Sequence, residues 1–255
     1  MKFSSLGSGS EGNGLLVEVG HSRLLMDCGF GLRDGIERLA RLGLEPDQLD
    51  GILVTHEHGD HIGGVARLAR KFNLAVWLTH GTLNSQHKTL SGIAELHEID
   101  PHQTFSVGGI EISPYPVPHD AAEPVQFVFS DGARRLAVLT DTGCSTPHIE
   151  QMLSGCDALV LECNHDSDML MNGDYPYSLK QRVGGRFGHL DNHSAATLLG
   201  KLDVGKLQHL LAAHLSRKNN TPELAIKALS AAIDCEAGWI GVASQEEGFG
   251  WREIV

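Results

Sequence analysis

The segment Thr55-His56-Glu57-His58-Gly59-Asp60-His61 packs three imidazoles and two carboxylates into seven residues. It follows the apolar run Gly51 to Val54, which predicts a buried strand. It precedes Ile62 to Phe72, where Ile62, Val65, Leu68, Ala69 and Phe72 fall on one helical stripe. Nitrogen and oxygen ligands gathered in such a loop can wrap one or two cations, with strand and helix anchoring both ends. Gly59 is expected to allow the tight turn that swings Asp60 and His61 away from His56 and His58. A solvated polar loop is the bland alternative, and the density of ligand chemistry argues against it.

One loop rarely completes a site, so further ligands are expected at other strand ends. His119 follows the predicted strand Gly109 to Tyr115, Asp141 follows Arg135 to Thr140, and His214 follows Leu207 to Ala212. Taken singly each could be an ordinary turn residue; taken with the first motif they suggest ligands gathered at one rim of a sheet.

The remaining periodicity fits this picture. Lys2 to Leu6, Leu15 to Val19, Arg23 to Asp27, Ala75 to Leu78, Val125 to Ser130 and Ala158 to Glu162 read as strands. Gly31 to Leu42, Asn192 to Leu202 and Pro222 to Asp234 read as helices, the last with Thr221 as N-cap and Pro222 at its first position. A closing hairpin is expected from Trp239 to Val242 and Phe249 to Ile254. Two blocks of strands, each with helices, predict two stacked sheets covered by helices. No repeat or linker-like stretch interrupts residues 1–255, so one domain is expected.

Composition limits the function classes. With 41% hydrophobic and 20% charged residues, the 255-residue chain can build a sizeable core. No apolar run is long enough to span a bilayer, and no N-terminal apolar stretch has signal-peptide length, so a cytoplasmic protein without membrane association is expected. The five cysteines form no C-x-x-C pair, which suggests reduced thiols. A net charge of −12 repels polyanions in bulk, so a nucleic-acid substrate would need local cations. Fifteen histidines are the compositional anomaly and point to metal. Gly7-Ser8-Gly9-Ser10-Glu11-Gly12 satisfies G-x-G-x-x-G, but Leu15 to Val19 alternates like a strand where a dinucleotide site needs a helix. A glycine-rich hairpin near the site is the preferred reading, with no nucleotide cofactor.

The motif Thr55 to His61, with the later His119, Asp141 and His214, resembles the metallo-β-lactamase superfamily over essentially the whole chain. That resemblance implies an α/β protein, an αββα four-layer sandwich with a dinuclear metal site at one edge of the two sheets. It implies that His56, His58 and His119 hold one metal, that Asp60, His61 and His214 hold the other, and that Asp141 bridges them. An Asp at the bridging position resembles hydrolases of phosphodiesters and thioesters more than true β-lactamases. The opening Lys2 to Asn13, the segment Gly188 to Ala196 and the segment His214 to Ala225 are similar to the YycJ/WalJ group of DNA exonuclease-like enzymes. The last two also resemble an arrangement in ribonuclease Z; where that group often has Ser, this chain has Asp191. Asp141 and His214 are 73 residues apart, too few for the large nucleic-acid-clamping insertion of ribonuclease J.

The resemblance thus implies a compact metal-dependent phosphodiesterase, an exonuclease acting on DNA in preference to RNA, 5′ to 3′, with two Zn²⁺ or Mn²⁺ ions. It implies no particular oligomeric state. Two cations about 3.5–4 Å apart lower the pKa of a bridging water toward roughly 7 and neutralise the phosphate. Asp60 is then the candidate for holding and deprotonating the nucleophile, and His189 for protonating the departing oxygen. Basic residues beside the late motifs (Lys180, Arg182 and Arg186 before His189, Arg217 and Lys218 after His214) suggest a phosphate-contacting strip, against the alternative of a solvated face. Ser216, Arg217, Lys218 and Arg186 are the candidate substrate contacts. Glu162 and His165 could orient a ligand or His189, or form a plain turn. Trp77, Trp239 and Trp251 are expected in strands, as core or sheet-edge residues. Thioester or lactone hydrolysis on the same metal pair and RNA processing are the rival activities; a non-catalytic module of the same fold is the third.

Overall fold

The computed structural model describes residues 1–255. Strands β1 (Lys2–Gly7), β2 (Gly14–Val19), β3 (Ser22–Met26), β4 (Gly51–Leu53), β5 (Ala75–Thr79) and β6 (Leu96–Ile99) build one sheet. Strands β7 (Phe105–Val107), β8 (Ile110–Pro116), β9 (Val125–Ser130), β10 (Arg135–Leu139), β11 (Ala158–Glu162), β12 (His209–Ala213) and β13 (Gly241–Val242) build the second. The last strand, β14 (Phe249–Glu253), returns to the first sheet beside β1. The strand orders are β14-β1-β2-β3-β4-β5-β6 and β13-β12-β11-β10-β9-β8-β7. β3 through β6 run parallel, as do β10 through β13, and the other pairs are antiparallel.

Alternation decides which layer each side chain of a strand joins. One face of each sheet meets the other in a shared core that includes Phe3, Val17, Leu24, Ile112, Phe127, Phe129 and Val160. The opposite face of the first sheet is covered by α1 (Leu32–Arg41), α3 (Val65–Phe72) and α4 (His80–Leu90), through Leu39, Val65, Leu68 and Leu90. The opposite face of the second is covered by α5 (Pro147–Leu153), α8 (Asn192–Leu199) and α9 (Pro222–Ile233). Both sheets therefore have both faces buried, which is why their central strands read as near-continuous apolar runs. The result is the expected αββα sandwich. Three short helices, α2 (Gly59–Ile62), α6 (Ser167–Asn172) and α7 (Tyr177–Val183), lie outside these layers.

Three expectations need correction. The closing hairpin does not form: β13 adds parallel to β12 and β14 adds antiparallel to β1, so each strand completes an otherwise open sheet edge. Only the Ser244–Gly248 bridge links the crossing segment. Trp239 consequently sits in a 3₁₀ turn, Ala237–Trp239, and is exposed. The helix expected from Ile62 to Phe72 is broken at Gly63-Gly64. A Cβ on Gly64 would lie 1.9 Å from the Phe30 carbonyl oxygen, so this glycine lets the helix start press against the 28–30 loop. Gly59, in contrast, meets nothing within 4 Å and opens α2 without needing glycine's freedom.

Candidate metal centre

Parallel strands present their carboxyl ends along one edge, where open α/β sheets gather their ligands. Asp27 follows β3, Thr55 to His61 follow β4, Asp141 follows β10, Glu162 closes β11 and His214 follows β12. His119 lies three residues beyond β8. Asp27, Asp141 and His214 all take positive φ (62°, 51° and 56°), which turns the chain sharply at the strand end. Asp and His tolerate this conformation better than most residues.

These turns bring the sequence-predicted ligands together in two adjoining groups. In the first, His56 Nε2 lies 3.0 Å from His58 Nδ1, which lies 3.2 Å from His119 Nε2. In the second, Asp60 Oδ2 stands 3.5 Å from both His61 Nε2 and His214 Nε2. Asp141 joins the two: its Oδ2 is 3.1 Å from His61 Nε2, and its Oδ1 is 3.6 Å from His214 Nε2 and 3.9 Å from His119 Nε2.

The donor set fits divalent cations. Asp141 Oδ2 is buried and accepts no hydrogen bond, an orphan that a cation would satisfy. A tetrahedral ion with bonds of 2.0–2.1 Å spaces its ligand atoms by roughly 3.3 Å, close to the 3.0–3.2 Å separations in the first group. Burial, with neighbouring imidazoles, holds His56 well below the usual histidine value, so it presents a neutral ring. Burial alone would raise the Asp141 and Asp60 carboxyls, but the surrounding histidines, His214 and His61 foremost, hold both well below their usual range.

The outer nitrogens are fixed as well. Asp27, left in sequence as merely the end of a strand, is fully buried. It accepts from Thr55 N, Thr55 Oγ1 and His61 Nδ1 at 2.9, 2.9 and 2.8 Å, which leaves His61 Nε2 for the site. His119 Nδ1 donates to the Gly188 carbonyl at 3.0 Å. Glu162 takes four donors: Thr142 N and Leu190 N on Oε2, at 3.0 and 3.2 Å, and His189 Nδ1 and His214 Nδ1 on Oε1, at 2.8 and 3.2 Å. Glu162, Asp141, His189 and His214 form a third close donor group, but the Glu162 oxygens are already committed to orienting the two rings. The glycine-rich turn reaches the site too: Asn13 Nδ2 lies 3.1 Å from His61 Nε2, and Ser8 Oγ accepts from His214 N. That turn leads into β2, a strand, where a dinucleotide fingerprint would need a helix.

The donor groups open into a cleft of about 290 Å³ lined by His58, Asp60, Asp141, His189 and His214 with Arg182 and Tyr175. The predicted substrate contacts are spread differently. Ser216 is buried and its hydroxyl accepts from Asn219 N. Arg217 is held between Glu11 and Glu246. Lys218 Nζ lies 5.6 Å from the centre of the Tyr175 ring, and Arg186 is exposed without lining the cleft. His165 is buried apart from the donor groups, bridging along the backbone to Asp191. Asp191 itself caps α8, accepting from His193 N and Ser194 N.

A profile of the beta-lactamase superfamily domain matches residues 22–214. The chain belongs to the beta-lactamase superfamily. It is similar to the exodeoxyribonuclease YycJ of Bacillus anthracis, 36% identical over 247 residues that cover 95% of this chain and 93% of that protein. It is also similar to the exodeoxyribonuclease WalJ of Streptococcus pneumoniae, 34% identical over 228 residues, covering 88% and 85%. Among solved structures, the metallo-beta-lactamase fold protein YhfI of Bacillus subtilis superposes with a TM-score of 0.78 at 18% identity, covering 98% of both chains, which supports the fold. This superfamily member is a metallo-hydrolase, and its fold implies divalent metal ions. No helix is long and apolar enough to cross a membrane.

Proposed function

We propose that this hydrolase is a phosphodiesterase that shortens DNA stepwise from the 5′ end, as a single catalytic domain using two Zn²⁺ or Mn²⁺ ions. The observation that carries the reading is the Asp141 carboxylate, buried between two adjoining donor groups with one oxygen unpartnered. The exodeoxyribonuclease names of the two relatives supply the substrate class. His56, His58 and His119 would hold one cation, Asp60, His61 and His214 the other, and Asp141 both. When bound, such cations acidify water toward neutrality and neutralise phosphate oxygens, which answers the chain's net charge of −12.

The side chains divide the remaining work. Asp60, at the start of α2, is partly exposed to the cleft and is placed to orient and accept a proton from the attacking water. His189, its Nδ1 fastened to Glu162, lines the cleft and would donate a proton from Nε2 to the departing oxygen. Purified protein with end-labelled single-stranded DNA, with or without a 5′ phosphate, in Mn²⁺ or Zn²⁺, tests this. Stepwise products from the 5′ end, absent with His61→Ala, are expected. Turnover of RNA, a thioester or a lactone with intact DNA would replace the substrate while keeping the metal site.

A further inference from the structure

One wall of the cleft, residues 166–189, is pinned to the loops that carry the donor groups. Asp120 N donates to the Phe187 carbonyl and His119 Nδ1 to the Gly188 carbonyl, both at 3.0 Å. A Cβ on Gly143, two residues past Asp141, would lie 2.3 Å from the Arg186 carbonyl carbon and oxygen. The wall therefore holds its side chains in register with the metal centre.

What it presents there is not what a solubilising surface needs. Of the side chains lining the cleft, Arg182 is the one Lys or Arg and Tyr175 the one aromatic other than histidine. The Arg182 guanidinium donates to protein through Nε alone, to Asp120 Oδ2 at 2.6 Å. Both Nη groups are left to fork onto a phosphate. The Tyr175 ring is half-buried, with the Lys218 ammonium 5.6 Å from its centre. Tyr177 and Phe187, in the same segment but outside the cleft lining, are 70% and 57% exposed. A ring and a free cation on one wall of a cleft are the pair that holds a nucleic-acid strand, the ring taking a base and the cation a phosphate.

We infer that Tyr175 and Arg182 form a nucleotide subsite beside the metal centre, the ring stacking on a base and the guanidinium binding the phosphate next to the scissile one. Asp120 holds the guanidinium in place for that phosphate. This inference rests on the phosphodiesterase reading above and names where its substrate lies.

Fluorescence anisotropy with metal-loaded protein and phosphorothioate-linked, uncleavable oligonucleotides tests it. One probe carries bases throughout and the other has abasic sites at its three terminal positions. Wild type is expected to prefer the base-bearing probe by about tenfold. Tyr175→Ala should erase that preference while binding the abasic probe as wild type does, and Tyr175→Phe should retain it. Arg182→Gln should weaken both probes alike and flatten the logarithmic salt dependence by about 0.7. Equal affinity of wild type for the two probes, or a preference that survives in Tyr175→Ala, overturns the subsite even if DNA is cut. A wild-type protein that neither binds nor cuts DNA overturns the DNA-directed reading on which the subsite rests.

Discussion

Replacing Glu162 by glutamine changes one atom and should disable the site. The carboxylate is fully buried and accepts four N–H groups on two oxygens. Burial would raise its pKa, yet the His189 and His214 partners hold it at about 2, so it is charged wherever the protein is folded near neutrality. Glutamine keeps one acceptor oxygen. That oxygen must face Thr142 N and Leu190 N, because backbone amides have no other protonation state to adopt. The amide NH₂ then faces His189 Nδ1 and His214 Nδ1, and both rings must move their proton to Nε2, the nitrogen directed at the cleft. A proton on His214 Nε2 prevents that atom from ligating a cation, and His189, without the carboxylate that favours its doubly protonated form, becomes a weaker proton donor at Nε2. Partners of this kind are worth about 10–100-fold in metal affinity or activity. Leaving one buried donor imperfectly paired costs about 1–3 kcal/mol of stability, and full truncation in Glu162→Ala about 3–5 kcal/mol. Metal competition against a chromophoric chelator, the DNA ladder, and long-range ¹H–¹⁵N correlation of the imidazoles together check this. In metal-loaded wild type both rings should carry a proton on Nδ1, and His214 none on Nε2. A Glu162→Gln protein with wild-type metal affinity and cleavage, or with unchanged tautomers, refutes the reasoning.

Asp191→Ala should destabilise the protein by about 1 kcal/mol, because the carboxylate caps two backbone N–H groups of α8. Burial would raise that carboxyl, but bonds from Ser194 and His193 hold it below its ordinary value, so its contribution is full above about pH 3.9 and is lost as pH falls through the folded value. Urea midpoints at pH 7 and pH 3 should therefore show the gap to wild type narrowing in acid; a gap that widens contradicts the sign. Burial pushes the Cys28 and Cys156 thiols up to about 12 and Cys163 higher still, so a disulfide reagent at pH 8 should titrate only Cys144 and Cys235 in the folded protein. More than two fast-reacting thiols would show that the core opens. Chelation should lower Tm, and readdition of metal at 100 times its Kd should return about 2.7 kcal/mol; a Tm indifferent to chelator would show that the donor groups hold no metal.

The layers and the ligand clusters were legible for the same reason: strands buried on both faces are apolar along their length, so their polar ends stand out. His119, Asp141 and His214 are conspicuous because Tyr115, Leu136 to Leu139 and Leu210 to Ala213 before them are buried. What stayed hidden depends on partners distant in the chain. Nothing local distinguishes a β13–β14 hairpin from two strands that leave for opposite sheet edges. Asp27 carried the same strand-end signal as Asp141, and neither has a histidine within five residues; the family resemblance supplied a role for Asp141 and none for Asp27. The wall from 166 to 189 has short helices, exposed rings and little periodicity. Its position follows from the Gly188 and Phe187 carbonyls accepting from His119 Nδ1 and Asp120 N, about seventy residues away. Helix α5 is missing from the sequence reading, although Thr146 caps it and Pro147 stands at its first position.

The site's geometry carries backbone strain that the packed core sustains. Asp27, Asp141 and His214 each adopt a left-handed backbone, a conformation that costs non-glycine residues of order 1–3 kcal/mol apiece. Each turn immediately follows a strand whose side chains are packed between sheet and helix or sheet and sheet, so the core supplies the energy that holds it. Relaxing any one turn would swing a carboxylate or imidazole out of the cluster. Asp141 shows the trade most clearly: it combines an unfavourable φ, full burial and an oxygen with no hydrogen bond. Three separate costs at one residue are hard to sustain in a fold that gains nothing from them, and a cation between the two donor groups would offset the last two directly.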